Sequence, residues 1–139
     1  MKFTLDEIIK CTDAKVLYQK DISGEFEIST DTRKLKAGNV YLPLRGENYD
    51  GHNFISKALE AGAGGYFTQD KFKVDKNADF VLLGENSLVA YLKLANYIRN
   101  KINPKVVAIT GSSGKTTTKE MLYSVFSTTY KTHKTYLNH

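Results

Sequence analysis

The chain has 139 residues and lacks the features typical of secreted and membrane-spanning proteins. Its single cysteine, Cys11, excludes an internal disulfide and forms no metal-ligand pattern. No stretch approaches the roughly 18 consecutive apolar residues that a membrane-spanning helix requires. Asp6 and Glu7 are acidic where a secretory signal peptide would have its apolar centre. These absences predict a cytoplasmic protein that does not insert into membranes.

Acidic residues are also scarce in one part of the chain. The whole sequence has 20 Lys and Arg against 15 Asp and Glu, which gives a net charge of +5. Residues 1–85 contain 12 basic and 14 acidic residues, whereas residues 86–139 contain 8 basic residues and one acid, Glu120. The net charge is therefore −2 in the first part and +7 in the second, which predicts two differently built segments. A basic segment also suits a nucleic-acid-binding module, but no nucleic-acid motif accompanies it, and we expect no such partner.

Hydrophobic spacing and turn residues predict alternating strands and helices along the chain. Thr4 and Glu7 have the spacing of a capping box, which predicts a helix from there to about Cys11. Helical spacing of apolar residues predicts two more helices, at 52–61 and 87–101. Strand-like segments lie between the helices, at residues 15–19, 25–30, 40–44, 66–68 and 80–83. There is no internal repeat, and the alternation predicts an α/β fold.

The last third of the chain contains a glycine-rich loop between a predicted strand and a predicted helix. Residues 106–109 are a continuous apolar run, typical of a strand buried on both faces of a parallel sheet. Thr-Gly-Ser-Ser-Gly-Lys-Thr-Thr-Thr follows at 110–118, and a helical stretch then continues to about Ser127. Glycines let backbone N–H groups turn toward a phosphate, and the start of a helix adds a partial positive charge. The arrangement predicts phosphate binding, and the alternative is a loop that only caps the helix.

Two side chains of this loop have predicted chemical roles. Lys115 would reach the terminal phosphates of a nucleotide, and the hydroxyl of Thr116 would bind Mg²⁺. Ile109 stands where the full phosphate-loop pattern has its first glycine, so the loop has the shorter Gly-x-x-Gly-Lys-Thr-Thr form. The predicted nucleotide-binding residues are Gly111, Ser112, Ser113, Gly114, Lys115, Thr116 and Thr117.

Three motifs of the chain resemble those of the Mur ligase family. Residues 108–121, which contain the glycine loop and end in Thr-Lys-Glu-Met, resemble the nucleotide loop of that family. Asp31-Thr32-Arg33 resembles the Asp-Ser-Arg motif of the family's amino-terminal domains, with threonine in place of serine. Residues 38–55 resemble the segment of those domains that contains Asp-Gly-His, present here at 50–52. The resemblance covers nearly the whole chain, and three motifs in the family's order are more specific than any one of them.

The resemblance implies a three-domain enzyme of peptidoglycan synthesis. Its first domain binds the UDP end of a precursor, its second binds ATP, and its third binds the incoming amino acid or dipeptide. By this comparison, residues 1–85 are the small mixed-sheet domain that binds the precursor. Residues 86–139 are the first helix, strand, phosphate loop and helix of a truncated P-loop ATPase domain. We therefore expect the chain to be an amino-terminal fragment that is not catalytic by itself.

The resemblance is strongest to the members that join D-alanyl-D-alanine to UDP-N-acetylmuramoyl-tripeptide (UDP-MurNAc-tripeptide). In that reaction the precursor carboxylate takes a phosphoryl group from ATP, and the amine of the dipeptide then displaces phosphate from the acyl phosphate. The resemblance implies that ATP and Mg²⁺ are the cofactors, that Lys115 is catalytic through charge neutralisation, and that Thr116 is a metal ligand. The alternative is a family member that adds another amino acid, because the domain that sets this choice lies outside the sequence.

The resemblance also implies which residues hold the UDP end of the precursor. The carboxylate, hydroxyl and guanidinium of Asp31, Thr32 and Arg33 suit uracil, ribose or pyrophosphate oxygens. An alternative for Asp31 and Arg33 is a local ion pair that braces a turn, and an alternative for His52 is capping of its own helix. The complete set of expected precursor-binding residues is Asp31, Thr32, Arg33, Gly46, Asn48, Asp50 and His52.

The second segment contains too little secondary structure to bury a core of its own. It has one predicted strand and two predicted helices, and short segments of this kind need additional stabilisation. A strand at residues 106–109 would present unpaired backbone groups and an apolar surface unless neighbouring chain covers it. We therefore expect partial disorder after about Ser127, or self-association through this truncated sheet.

Overall fold

The computed structural model describes residues 1–136, and the chain divides into two compact units, the first at Met1–Asn103 and the second beginning at Pro104. Within the described first unit, a mixed sheet of six strands is accompanied by three α-helices. The strands are β1 (Lys2–Thr4), β2 (Lys15–Gln19), β3 (Glu25–Ser29), β4 (Val40–Tyr41), β5 (Gly65–Thr68) and β6 (Phe80–Leu83). The helices are α1 (Leu5–Thr12), α2 (Ile55–Glu60), which follows a 3₁₀ turn at Gly51–Phe54, and α3 (Ser87–Ile102), while α4 (Lys115–Phe126) lies in the second unit.

The sheet has a parallel centre and antiparallel edges. Its strand order is β1-β3-β4-β5-β6-β2. Strands β3 to β6 run parallel to one another, whereas β1 is antiparallel to β3 and β2 is antiparallel to β6. The backbone N–H of Leu42 donates to the Ser29 carbonyl at 2.9 Å, which extends the pairing of β3 and β4 beyond their ends. Because the carboxyl ends of parallel strands meet at one edge of a sheet, the loops after β3 and β4 lie side by side.

Both faces of the central strands are covered, which explains the apolar run at 80–83. Phe80 and Leu82 point into a core cluster that includes Ile8 of α1 and Leu94 of α3. Val81, between them, points to the opposite face, into a second cluster that includes Ala58 of α2. A parallel strand that is covered on both faces has apolar residues at every position rather than at alternate ones.

Several predictions of local structure are confirmed. The capping box is formed, because Thr4 Oγ1 accepts from the Glu7 N–H at 3.2 Å and Glu7 Oε2 accepts from the Thr4 N–H at 3.0 Å. The predicted α/β class is confirmed, and each helix and strand predicted within residues 1–103 has a counterpart there, whereas strand β1 was not predicted. No helix among residues 1–136 combines the length and the apolar composition that crossing a bilayer would require.

The strand predicted at residues 106–109 is not formed. Residues 103–110 have no regular secondary structure, and the side chains of Val106 and Val107 are 62% and 60% exposed. A strand is stabilised by hydrogen bonds to a neighbouring strand. Among the described residues of the second unit the regular structure is α4 alone, so residues 106–109 have no strand of their own unit to pair with.

Helix α3 belongs to the first compact unit, although the charge pattern grouped it with the second segment. Ala90 and Leu94 of this helix are buried in the core cluster of the first unit. Lys93 also forms an ion pair with Asp13, just after α1. The compact units therefore divide at residues 103 and 104. The division into functional domains at residues 1–85 and 86–139 stays a prediction.

The carboxylate of Glu7 ties α1 to α3 and makes the stability of the first unit pH-dependent. It accepts hydrogen bonds from the Lys101 ammonium at 2.8 Å and the Tyr97 hydroxyl at 2.6 Å, besides its capping bond to Thr4. The Lys101 contact first, then Tyr97 and Thr4, lower the pKa of Glu7 from 4.5 to about 2. Since this pKa is lower in the folded chain, the stabilisation is present above pH 4.5 and is lost as the pH falls toward 2.

Replacing Glu7 with glutamine should therefore make the stability of the first unit less dependent on pH between pH 5 and pH 2. Glutamine can still form the capping box but cannot titrate. Thermal unfolding followed by circular dichroism between pH 5 and pH 2 measures the effect, with Glu60→Gln, at an exposed residue near the end of α2, as the matched control. An unchanged pH dependence in Glu7→Gln would show that the ties to Lys101 and Tyr97 contribute nothing to stability.

Candidate functional site

The glycine loop of the second unit contains two glycines with positive φ angles. Gly111 and Gly114 have φ angles of +148° and +75°, a region that side chains disfavour. Gly114 is the N-terminal cap of α4 and, having no side chain, supplies no side-chain hydrogen bond to the start of the helix. Residues 111–118 are all exposed, which leaves this positively polarised helix start open to a ligand.

Lys115 adds a full positive charge to the same loop. Its ammonium donates to the carbonyl oxygen of Gly111 at 2.6 Å, which places the charge over the glycines rather than away from them. Ser112, Ser113 and Gly114 lie between these two residues, and Thr116 and Thr117 follow in the first turn of α4. The predicted nucleotide-binding residues thus form one continuous exposed segment. Backbone N–H donors with a nearby ammonium suit the negative charge of a phosphate.

Carboxylates that could hold Mg²⁺ are scarce among the described residues of the second unit. Glu120, the single acid of the basic segment, forms an ion pair with Lys134, whose hydrogen bond lowers the pKa of Glu120. No group of three or more His, Cys, Asp or Glu side chains in residues 1–136 is arranged to hold a metal ion. Mg²⁺ prefers several oxygen ligands, so the Thr116 hydroxyl is at most one of them.

The loop after β3 contains the Asp31-Thr32-Arg33 motif, and its two charged residues pair with each other. Arg33 donates through Nε to Asp31 Oδ1 at 2.9 Å and through Nη2 to Asp31 Oδ2 at 2.8 Å. The Arg33 backbone N–H adds a third contact at 3.0 Å. These hydrogen bonds, the side-chain ones first, lower the pKa of Asp31 to about 2. The local ion pair considered as an alternative is therefore present, and the binding role of the motif stays a prediction.

The loop after β4 is closed by a second charged cluster, centred on Asp50. Arg45 donates to Asp50 Oδ2 from Nε at 3.0 Å and also from Nη2. The backbone N–H of His52 and its ring atom Nδ1 lie 3.0 Å and 2.7 Å from Asp50 Oδ1. Arg45, followed by the other contacts, holds the pKa of Asp50 well below its usual range. Asp50 also caps the 3₁₀ turn, so the cap is Asp50 rather than His52.

The hydroxyl of Tyr41 braces the loop after β4. Tyr41 is fully buried in β4 and donates to the Gly51 carbonyl at 3.0 Å. Burial is the main cause that raises its pKa, and the side chains of Tyr49, Asp31 and Asp50 raise it further. Both carboxylates therefore lie within electrostatic reach of one phenol. The structure thus brings Asp31 and Asp50 of the predicted set to one edge of the sheet.

The remaining predicted residues of the first unit contribute unequally. The Gly46 N–H donates to the Tyr49 carbonyl at 2.8 Å and so forms the turn, while Asn48 is exposed on it. Thr32 lies half-buried between the paired Asp31 and Arg33. His52 is mostly buried, and its Nε2 atom is shielded from solvent without a hydrogen-bond partner.

Sequence reasoning missed Arg45 and Tyr41 as parts of this site. Arg45 and Asp50 have opposite charges at the two ends of a short turn, and they form an antiparallel bridge. That charge pattern is visible in the sequence and was a usable signal. For Tyr41 the signal is weaker, although a buried tyrosine usually finds a partner for its hydroxyl.

The close approach at Gly51 makes it the least replaceable position of the loop. A Cβ atom there would lie 2.7 Å from the Leu44 carbonyl oxygen and 2.8 Å from the Leu44 nitrogen. Both are backbone atoms and cannot turn away. We expect Gly51→Ala to destabilise the first unit by about 1–3 kcal/mol, the usual cost of overpacking.

Urea unfolding measures this loss, and Gly46→Ala is the matched control because its Cβ would meet nothing within 4 Å. Equal stabilities of the two variants would contradict the close approach of Gly51 to Leu44.

The fold and the loops define a class of protein before any comparison. A mixed α/β unit with polar loops at the carboxyl edge of its sheet precedes an exposed glycine loop with a lysine at a helix start, as in nucleotide-dependent enzymes. The sequence matches the Mur ligase family, catalytic domain, over residues 27–123 and the Mur ligase middle domain over residues 109–139. The chain belongs to the Mur ligase family.

Individual relatives agree with this assignment. The chain is 36% identical to the UDP-N-acetylmuramoyl-tripeptide–D-alanyl-D-alanine ligase of Bacillus subtilis over 93% of its length, and 37% identical to that of Synechocystis over 99%. It covers 28% and 31% of those two relatives, so it spans less than a third of their length.

Solved structures of the same type are also similar. A crystal structure of MurF from Acinetobacter baumannii matches 93% of the chain with a TM-score of 0.81 and 31% identity, and 28% of that protein is covered. The MurF ligase of Thermotoga maritima, solved in complex with ADP, matches 74% of the chain with a TM-score of 0.62 and 34% identity, and 23% of it is covered.

Proposed function

We propose that the chain is the amino-terminal part of an ATP-dependent ligase that joins D-alanyl-D-alanine to UDP-MurNAc-tripeptide in peptidoglycan synthesis. The observation that carries the proposal is the exposed glycine loop with Lys115 over it, in a chain that is similar over nearly its whole length to ligases of that name. The ADP complex of the Thermotoga maritima relative supports ATP as the nucleotide. A MurE-type ligase is the alternative, because the chain covers less than a third of its relatives.

The loop's part in catalysis is to position a nucleotide and to neutralise its charge. ATP, when bound, supplies the phosphoryl group that activates the precursor carboxylate. The backbone N–H groups at the start of α4 and the Lys115 ammonium bind phosphate oxygens and reduce the repulsion between two anions that must approach each other. The Thr116 hydroxyl is this chain's contribution to a Mg²⁺ ion, and the other ligands of the metal come from elsewhere in the enzyme.

The loops after β3 and β4 form the proposed site for the nucleotide end of the precursor. An open depression of about 410 Å³ is lined by residues of β3 and of the segment between β3 and β4, among them Ser29, Asp31, Lys34 and Lys36. The Asp31–Arg33 pair fixes the shape of the first loop, which leaves the Thr32 hydroxyl between them as the binding group. In the second loop the exposed Asn48 and the His52 ring have the same proposed role, while Gly46 and Asp50 shape the turn.

The proposed partners are the two small-molecule substrates, and the proposed location is the cytoplasm, where UDP-linked precursors and ATP are available. Self-association through residues 106–109 stays a prediction. The exposure of Val106 and Val107 supports it. Sedimentation velocity measures it, and a clean monomer at high concentration would contradict it. Gel-shift assays at physiological salt test the nucleic-acid alternative, and tight binding there would favour that alternative.

A chimeric enzyme tests the proposed ligase function. Residues 1–139 replace the matching segment of the Bacillus subtilis ligase, and product formation is followed with D-alanyl-D-alanine and either UDP-MurNAc-tripeptide or the corresponding dipeptide precursor. We expect ligation with the tripeptide precursor. A folded chimera that binds ATP but uses only the dipeptide precursor would favour the MurE-type alternative, and one that uses neither precursor would contradict the proposal.

A further inference from the structure

The depression beside β3 and the segment that leads to β4 is lined almost entirely by polar side chains. Among the described residues that line it, Ile28 is the only apolar one. Its volume of about 410 Å³ falls within the range of about 300–1,000 Å³ that is usual for sites that bind small molecules. What the depression can bind therefore depends on which of its polar groups lack a partner within the protein.

The carboxylates that line the depression are already paired with cations of the chain. Glu27 Oε1 lies 3.1 Å from the ammonium group of Met1. Both oxygens of Asp31 accept from the guanidinium of Arg33. Neither cation lines the depression itself. The two negative charges are therefore largely compensated by partners outside it.

The donors of the depression, in contrast, have no such partners. Lys34 and Lys36 are exposed, and within residues 1–136 their ammonium groups form no hydrogen bond and no ion pair. The hydroxyl of Thr30 and the amide nitrogen of Asn39 donate no hydrogen bond in that range either. Asn39 is held through its other side-chain atom, because Oδ1 accepts from the Lys36 backbone N–H at 2.8 Å. The depression thus offers two positive charges and two neutral donors.

This set of groups determines the kind of ligand that fits. Arg33 first, and Lys34 to a smaller extent, lower the pKa of Asp31, so Asp31 stays ionised and bonded to Arg33. The Lys34 ammonium is therefore left for a ligand. Two ammonium groups and two neutral donors suit a ligand with two negative charges and several acceptor oxygens. In the proposed precursor the diphosphate has this composition, whereas each carboxylate carries a single charge.

We propose that this depression binds the diphosphate of the UDP end of the precursor, and that Lys34 and Lys36 bind its phosphate oxygens. The identity of the ligand rests on the proposed function, whereas affinity for a diphosphate is a property of the chain alone. Lysine binds phosphate as a mobile point charge and needs no fixed geometry, which suits two exposed side chains at an open site. Thr30 and Asn39 add hydrogen bonds from the same depression.

Titration of the ¹⁵N-labelled chain with inorganic pyrophosphate tests the anion site directly. We expect the backbone N–H signals of residues 27–39 to shift, and the signals of residues 111–118 report binding at the glycine loop separately. In the double variant Lys34→Gln/Lys36→Gln the affinity measured from residues 27–39 should fall about tenfold, because two charge-assisted contacts at an exposed site are lost. Absence of shifts at residues 27–39 in the unaltered chain would overturn the proposal.

The double variant Lys10→Gln/Lys15→Gln is the matched control. These lysines are exposed on α1 and β2 and do not line the depression, and replacing them removes the same number of charges. The control should bind pyrophosphate at residues 27–39 as tightly as the unaltered chain. Equal weakening in both double variants would mean that only the net charge matters, and the proposal would fail. An unchanged affinity in Lys34→Gln/Lys36→Gln would also overturn it.

UDP and uridine distinguish a nucleotide diphosphate from a free anion. We expect UDP to bind more tightly than pyrophosphate, because its uridine adds contacts. Replacing Lys34 and Lys36 should weaken the binding of UDP about tenfold and leave that of uridine unchanged. Equal losses for UDP and uridine would show that the lysines do not act on the diphosphate and would overturn the proposal.

The chimeric ligase separates this inference from the proposed function. Replacing Lys34 and Lys36 there should raise the KM for UDP-MurNAc-tripeptide about tenfold with little change in kcat, since the diphosphate takes no part in the chemical step. An unchanged KM would overturn the inference while the proposed function stands. Lysine-dependent binding of pyrophosphate by a chain whose chimera uses neither precursor would support the anion site, but it would overturn the assignment to the precursor together with the proposed function.

Discussion

Replacing Lys115 with alanine in the chimeric ligase should lower its turnover by about 10²–10³-fold, the loss seen when one charge-stabilising donor is removed from an active site. The ammonium lies over the glycine loop, bonded to the Gly111 carbonyl at 2.6 Å, where it faces the position proposed for the phosphates. The loss should appear mainly in kcat, because charge builds up on the transferred group as the reaction proceeds. Steady-state kinetics with ATP as the varied substrate measure it.

Lys105→Ala is the matched control for this measurement. Lys105 is exposed and carries the same charge in the same unit, but it lies outside the glycine loop. The control should keep nearly the full rate, and circular dichroism should show both variants folded. Equal rates for the two variants would mean that the loop lysine does not act on the nucleotide, and the proposed role of Lys115 would fail.

The second large effect concerns the core on which the precursor loops rest. Phe80→Ala in β6 should destabilise the first unit by about 3–5 kcal/mol, as expected for truncating a buried phenylalanine. The Phe80 side chain is fully buried and meets the Phe26 ring edge-on, with 5.1 Å between the ring centroids. It also fills the space above Gly65, where a Cβ atom would lie only 2.5 Å from the ring. Because Gly65 has no side chain to move in, the cavity cannot close.

Urea unfolding of the chain measures this loss against a second phenylalanine. Phe72 lies in the loop between β5 and β6 and is 84% exposed, so Phe72→Ala should change the stability by no more than about 0.5 kcal/mol. A loss of similar size in both variants would show that burial at Phe80 does not determine its contribution.

Features that depend on neighbouring residues in the chain could be predicted from the sequence. The Thr4–Glu7 capping box is one, because its two hydrogen bonds join residues three apart. The glycine loop is another, because Gly111 and Gly114 adopt the positive φ angles that their lack of a side chain permits. Strand β6 lies where its apolar run predicted it. In each case the cause acts over a few residues, so the pattern and the structure agree.

Features that depend on distant partners could not be predicted in the same way. Residues 106–109 have the composition of a strand, yet they form none, because a strand needs a neighbour that the described second unit does not supply. Helix α3 packs against α1 in the first unit, which its own amphipathic pattern could not reveal. Neither could the sequence show that the hydroxyl of Tyr41 is held by Gly51.

The sequence by itself determined the α/β class, the glycine loop with Lys115, and the family to which the chain belongs. These depend on local spacing and on residue identity, both of which the sequence contains. Only the tertiary structure decided that Asp50 is occupied by Arg45 and His52, and that the Tyr41 hydroxyl donates to the Gly51 carbonyl. The physical reason is that hydrogen bonds and burial depend on which segments the folded sheet brings together.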